Sequence, residues 1–254
     1  MYAIVLAGGY AKRLWPLTLN TPKALLPIAG KPILDYVMEK LATFNPPLKK
    51  IVLSTNQRFQ PQFKEYLASR NYRNVVVLPD DSESEARKPG AIKAMANITA
   101  FADEDDVFVI AGDSVFSDDL SEMLEAFYQG KTAVVALYEV RNVEEAKRCA
   151  IVKADKKGKI LDFIEKPLDP KSTMTCGAVY AFPKTVGKRL AEYLALGLPT
   201  DQPGRFVEWL YRQEPVYSYT LKDYLWDIGT HQAYRACNDF FKLANNSNKQ
   251  IEEN

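Results

Sequence analysis

A single histidine, His231, stands in a chain of 254 residues. One imidazole builds neither a histidine-based mechanism nor a histidine metal cluster. Cysteine is scarce as well. Cys149, Cys176 and Cys237 are odd in number, widely spaced and free of any Cys-x-x-Cys, which argues against a disulfide framework or a cysteine zinc site and fits a reducing, cytoplasmic compartment. An excess of one charge is missing: 33 Lys+Arg against 32 Asp+Glu leave +1, so no overall basic field gathers nucleic acid or anionic lipid. No apolar run approaches the ~20 residues of a membrane helix. The start, MYAIVLAGG, lacks a basic n-region, so a signal peptide is not expected either.

What is present is core material, 47% hydrophobic residues, arranged with a clear alternation. Tyr2–Leu6, Lys50–Thr55, Asn74–Leu78, Asp106–Ala111 and Thr132–Leu137 are rich in Val and Ile without polar alternation, as buried parallel strands require. Helical stretches are predicted between them, near Pro32–Phe44, Phe59–Ser69, Gly90–Ala102 and Asp118–Tyr128; in the last, Leu120, Met123, Leu124 and Phe127 share one face. After Val140 the pattern reads as a hairpin (Cys149–Lys153 and Ile160–Ile164), a strand Thr175–Phe182, and a helix from Pro183 to about Leu194. Phe206–Tyr211 reads as helical, Val216–Thr220 as a strand, and His231–Leu243 as a closing amphipathic helix. The expectation is an α/β single domain, a Rossmann-like open mixed sheet over residues 1–245, with 246–254 as a polar, frayed tail.

Chemistry enters first at residues 6–32, LAGGYAKRLWPLTLNTPKALLPIAGKP. Gly8 and Gly9 follow a strand and let backbone N–H groups approach a phosphate. Arg13 and Lys23 add positive charge, and Pro16, Pro22 and Pro27 stiffen a loop too cationic to be a mere connection. Neither the P-loop nor the Gly-x-Gly-x-x-Gly pattern is present. Asp113 ends the strand VFVIAGD, where α/β sheets hold ligands. Asp227 sits between Trp226 and Ile228, and a carboxylate in apolar company needs a hydrogen bond or a cation; a structural turn is the alternative.

Together these segments resemble the sugar-phosphate nucleotidylyltransferases. Leu6-Ala7-Gly8-Gly9, Arg13-Leu14, Pro16-Leu17-Thr18, Pro22-Lys23 and Lys31-Pro32 are joined in family order by further motifs. These are Gly90, Ala111-Gly112-Asp113, Glu165-Lys166-Pro167, Gly177 and Trp226-Asp227-Ile228-Gly229-Thr230. The resemblance implies the fold of the nucleotide-diphospho-sugar transferases and a reaction joining a nucleoside triphosphate (NTP) to a sugar 1-phosphate. It implies that Arg13 holds the leaving pyrophosphate, Lys23 the α-phosphate region, and Lys166 the sugar phosphate. Glu165 would bind a sugar hydroxyl, and Gly177 would line the sugar pocket unless it is only a bulge. Leu6, Ala7, Gly8, Gly9, Glu85, Gly90 and Gly112 would face the nucleotide. Asp113 and Asp227 would hold Mg2+, a metal that commonly takes one or two carboxylates plus phosphate oxygens.

Three residues depart from the family pattern. Ala11 and Lys12 replace the Gly-Thr that usually precedes the loop arginine, and Glu85 stands where a base-reading Gln is common; a carboxylate accepts but cannot donate as an amide does. These departures support a competing class, a non-catalytic sensor of nucleotide or sugar phosphate. The expected substrates are dTTP or UTP and glucose 1-phosphate, with a purine nucleotide or mannose 1-phosphate as the alternative. No nucleic-acid or membrane partner and no appended acetyltransferase-type repeat domain are expected. Tyr234, Phe240, Phe241 and Leu243 on the closing helix suggest a homodimer.

Overall fold

The computed structural model describes residues 1–70, 72, 74–80, 89–101 and 105–252, with residues 245–252 described by backbone alone. β1 (Tyr2–Leu6) leads into two single 3-10 turns, Lys12–Leu14 and Lys23–Leu25, then the short pair β2 (Pro27–Ile28) and β3 (Lys31–Pro32), then α1 (Ile33–Ala42). β4 (Lys50–Asn56), α2 (Gln60–Ala68), β5 (Val75–Asp80), α3 (Ala91–Thr99) and β6 (Val107–Ala111) follow. Next come β7 (Ser114–Val115), α4 (Ser121–Gly130), β8 (Ala133–Glu139), α5 (Val143–Ala146), β9 (Ala150–Ala154), β10 (Ile160–Glu165) and β11 (Met174–Phe182). The chain closes with α6 (Val186–Ala195), α7 (Pro203–Leu210), β12 (Val216–Thr220), β13 (Trp226–Asp227) and α8 (His231–Glu252).

Nine strands form one open mixed sheet along the path β10-β9-β11-β6-β1-β4-β5, with β8 beside β11 and β12 beside β8. β6, β1, β4 and β5 are parallel, and Leu6 lies level with Ser54 on one side and Ala111 on the other. Their sequences explain the placement. Ala3, Ile4, Val5, Phe108, Val109 and Ile110 are wholly buried, so both faces of these strands must be covered by helices. One core joins Val5, Leu53, Phe108 and Ile110 to α1, α2 and α4; the other joins Ile4, Val52 and Val109 to α3, α6 and α7. A third, smaller cluster ties Leu14, Ile28 and Ile33 to Val115, Trp226, Ile228 and Cys237, which packs the start of the chain against its last third.

β11 changes neighbours along its length. Thr175 and Cys176 pair with β9 and β8, the register then shifts, and Val179–Phe182 run beside β6. The second half of the chain thus extends the sheet that the first half begins.

Several boundaries differ from the sequence expectation. Pro183 precedes α6 in a separate turn closed by Val186 N–H to Pro183 C=O (2.9 Å). α7 begins at Pro203, not Phe206, because proline fits the first helical turn and the apolar periodicity shows only its later residues. The short α5 escaped notice, although its Asn142 cap accepts from Glu145 N–H at 3.0 Å while Glu145 Oε2 accepts from Arg141 N–H at 3.1 Å, a reciprocal cap. The polar tail continues α8 to Glu252, in a stretch without Pro or Gly to stop it. Tyr234 and Phe241 are taken up by the chain's own third cluster, while Phe240 and Leu243 stay exposed. Of the four apolar residues singled out on α8, Phe240 and Leu243 are thus the exposed ones. No helix among the described residues is long and apolar enough to cross a membrane.

Candidate active site

The carboxyl ends of β1, β4 and β6 meet at the glycine loop. Ala7 N–H donates to Ser54 C=O (2.8 Å) and Gly112 N–H to Leu6 C=O (2.9 Å), and a Cβ on Gly112 would lie 3.2 Å from that of Ala7. Asn56 Nδ2 donates to Gly8 C=O (3.1 Å), fixing the loop's first peptide, while nothing lies within 4 Å of where a Cβ of Gly9 would project. Ala11 takes φ 46, ψ 45, the left-handed conformation that glycine adopts freely and alanine only at a cost. Thr18 Oγ1 holds its carbonyl at 2.8 Å.

Arg13 lies in the first 3-10 turn, and Nη2 rests 3.1 Å from where Gly229 would carry a Cβ, with Asp227 Oδ1 3.5 Å from the same point. Glycine there leaves room for the guanidinium beside the carboxylate. Lys23 opens the second 3-10 turn, donates to Ile228 C=O at 2.8 Å and forms an ion pair with Asp113.

Asp113 and Asp227, 114 positions apart in sequence, are brought together by two very short strands. β7 pairs antiparallel with β13, and Asp227 stands opposite Ser114, the residue after Asp113. Asp227 also pushes up the ionisation of Tyr138, Cys149 and Tyr224, although burial is the larger cause for each; the Cys149 thiol reaches about 11. Among the described residues no group of three or more His, Cys, Asp or Glu side chains is placed to hold a metal. Two oxygen donors alone make a poor cage for zinc but suit magnesium, which completes its shell with substrate phosphates and water. The donor set at Asp113 and Asp227 fits that metal.

Two cavities are lined by residues singled out in the sequence. One, about 310 Å³, has Arg13, Asp227 and Gly229 on one wall and Tyr138, Arg148 and Cys149 on another. Arg148, an exposed guanidinium on this cavity with Arg13 and Arg141, was missed in the sequence, where it is only one more cation before a strand. Arg141 stacks on Tyr224 and Trp226 at 4.5 and 4.9 Å from the ring centroids. The other cavity, about 120 Å³, is lined by Leu6, Gly8, Gly9 and Gly90 together with Asp80 and Asp201. Four residues expected to face the nucleotide therefore line one cavity; Ala7 and Gly112 are not among its lining. Glu85 lies outside the described residues. Gly90, at φ +92, is pressed against Thr200, whose Oγ1 donates to Pro89 C=O at 2.8 Å and whose carbonyl accepts from Ile92 N–H at 3.0 Å.

Glu165 ends β10 opposite Ala150, and Lys166 follows at φ 51 with its N–H on Cys149 C=O at 3.1 Å. That backbone turn exposes Lys166 and buries Glu165. Burial pushes the Glu165 carboxyl above its usual range, and the nearby Lys166 and Arg205 partly offset this. Gly177 lies in the irregular stretch of β11, buried against Leu225 and Tyr138, which a Cβ would meet at 3.1 and 3.3 Å. A side chain there would fit only if these neighbours gave way by a few tenths of an ångström. His231, at the start of α8, hydrogen-bonds through Nε2 to the Trp15 carbonyl at 2.8 Å. This ties the last helix to the loop that carries Arg13.

The sequence profile described as Nucleotidyl transferase matches residues 2–242. Among curated proteins, the bifunctional protein GlmU of Methanocaldococcus jannaschii is 29% identical over 256 residues, covering 100% of this chain and 58% of its own length. A mannose-1-phosphate guanylyltransferase of Mycobacterium tuberculosis is 28% identical, covering 75% of this chain and 51% of its own. The chain spans little more than half the length of these relatives. A Bacillus anthracis structure named "Putative Glucose-1-Phosphate Thymidylyltransferase" superposes with a TM-score of 0.82 at 24% identity, covering 95% of this chain and 96% of the other. At that identity it speaks for the fold.

Proposed function

The chain belongs to the nucleotidyl transferase family, and from that premise we propose that it transfers a nucleoside monophosphate from an NTP to a sugar 1-phosphate. An oxygen of the sugar phosphate attacks the α-phosphorus, the bond to the β-phosphate breaks, and pyrophosphate leaves; the products are the NDP-sugar and pyrophosphate. The attacking oxygen is already anionic, so the step needs in-line positioning and charge neutralisation more than a general base.

The observation that supports this reading is the β7–β13 pairing, which sets Asp227 opposite Ser114 next to Asp113, with Lys23 ion-paired to Asp113 and Arg13 beside Gly229. In the proposal the sugar-phosphate anion meets Lys166, the leaving pyrophosphate meets Arg13, and Lys23 faces the α-phosphate. Glu165 orients a sugar hydroxyl. When bound at Asp113 and Asp227, Mg2+ would neutralise phosphate charge.

For the nucleotide, the reading is dTTP or UTP with glucose 1-phosphate. The support for this choice is the motif resemblance, together with the name of the structural neighbour. The alternative is GTP with mannose 1-phosphate, supported by the relative's name and by Asp80 on the cavity wall, since adjacent guanine N–H donors suit a carboxylate acceptor.

The test is pyrophosphate release with magnesium from a panel of triphosphates and sugar 1-phosphates, products resolved by mass. No release from any pair overturns the enzyme reading, and binding without release makes the chain a sensor. Preference for GTP overturns the pyrimidine choice alone.

A further inference from the structure

Gly204, the second residue of α7, lies against the tip of the Glu165 side chain. A Cβ built there would overlap Glu165 Oε2 and come within 2.9 Å of Cδ. Glu165 is only 7% exposed, so its carboxylate leaves this place only by a change of its own side-chain conformation. We propose that Gly204 is a positioning residue for the sugar 1-phosphate: by lacking a side chain it lets the Glu165 carboxylate stand over the first turn of α7, facing the acceptor. This rests on the reaction proposed above and assigns Gly204 a role through Glu165 alone.

The alternative is that glycine merely eases the local backbone. That explanation is weak here. Gly204 has no positive φ, unlike Gly30, Gly90, Gly158 and Gly197, and within a helix alanine is the better residue. Nor can α7 retreat from the carboxylate. Thr200, four residues earlier, is held by Pro89 and Ile92, and Tyr193 OH donates to Pro199 C=O at 2.7 Å. On the other side, Phe206 and Val207 are completely buried. The movable partner is the far end of a flexible glutamate. Alanine at 204 therefore spares the fold and displaces the carboxylate.

The test is a double-mutant cycle of Gly204→Ala and Glu165→Ala, read by steady-state kinetics with the fastest sugar 1-phosphate of the panel, and by calorimetric titration of that same compound. If the panel shows no turnover, glucose 1-phosphate is titrated instead. Gly204→Ala is expected to lower kcat/KM for the acceptor roughly 10- to 100-fold, as a misplacement of about 1 Å does. The loss should appear mainly in the acceptor KM, with the nucleotide KM unchanged and the melting temperature not lowered. In the Glu165→Ala background the same substitution should cost nothing further, because the Cβ then meets no carboxylate.

An unchanged acceptor kcat/KM, an equal loss in both backgrounds, or an equal fall in melting temperature in both backgrounds overturns the inference. A wild type that turns over while Gly204→Ala matches it fails this inference and leaves the reaction standing. A wild type that neither turns over nor binds the sugar phosphate overturns both.

Discussion

The Lys23 ammonium is ion-paired to the Asp113 carboxylate and also donates to the Ile228 carbonyl. One lysine thus neutralises an expected magnesium ligand and staples the glycine-loop region to the segment carrying the other, Asp227. Both side chains are largely shielded, at 17% and 24% exposure, so removing the cation leaves a poorly solvated carboxylate. Lys23→Met is expected to cost about 1–3 kcal/mol in urea unfolding. Millimolar magnesium should restore part of that loss and leave wild type nearly unmoved, because the freed carboxylates then bind the metal more tightly. A variant whose stability ignores magnesium would speak against the metal assignment.

Asp113→Asn keeps volume and removes the charge. The fold should survive, as judged by an intact circular-dichroism spectrum, while turnover falls by on the order of 10²–10³. Turnover within a few-fold of wild type across magnesium concentrations would contradict the role given to Asp113.

Glu165 makes a prediction in pH. Burial holds its carboxyl above the ordinary glutamate range, so the folded state disfavours the ionised form. Below the unfolded pKa the group is neutral in both states and costs nothing. As pH rises through the folded pKa that advantage is lost, and at neutral pH the charge weighs against folding. Glu165→Gln should therefore raise the melting temperature at pH 7–8, with the difference shrinking towards zero below about pH 4. A difference that grows on acidification would reverse the sign and refute the assignment.

Ala11 offers a test confined to stability. Its left-handed conformation at φ 46 costs an L-residue about 1–2 kcal/mol, part of which glycine returns as chain entropy. Ala11→Gly should raise the urea midpoint by up to about 1 kcal/mol equivalent with an unchanged slope. A lower midpoint would mean that the methyl group packs usefully.

The parallel half of the sheet was legible because β1, β4 and β6 are buried on both faces, and such strands announce themselves by composition. β7 and β13 were not, because two residues have no periodicity and their pairing spans the chain. The aspartates they join were found instead through motif resemblance. Arg148 and the Gly204–Glu165 contact were invisible for the same reason, since neither cavity walls nor the absence of a methyl group leaves a local pattern. α5 was legible in principle, in the Asn142 to Glu145 spacing. Glu85 was identified by position in a motif, and its surroundings lie outside the described residues.

Thr200 grips the start of α3 beside Gly90, and four residues later Gly204 supports Glu165. The wall of the 120 Å³ cavity and the platform of the buried carboxylate are therefore parts of one short strap. In the proposed reaction, a ligand that tightened this strap from one end would prepare it for the other, and linkage would make the effect reciprocal: any factor by which nucleotide improved acceptor affinity would equal the factor by which acceptor improved nucleotide affinity.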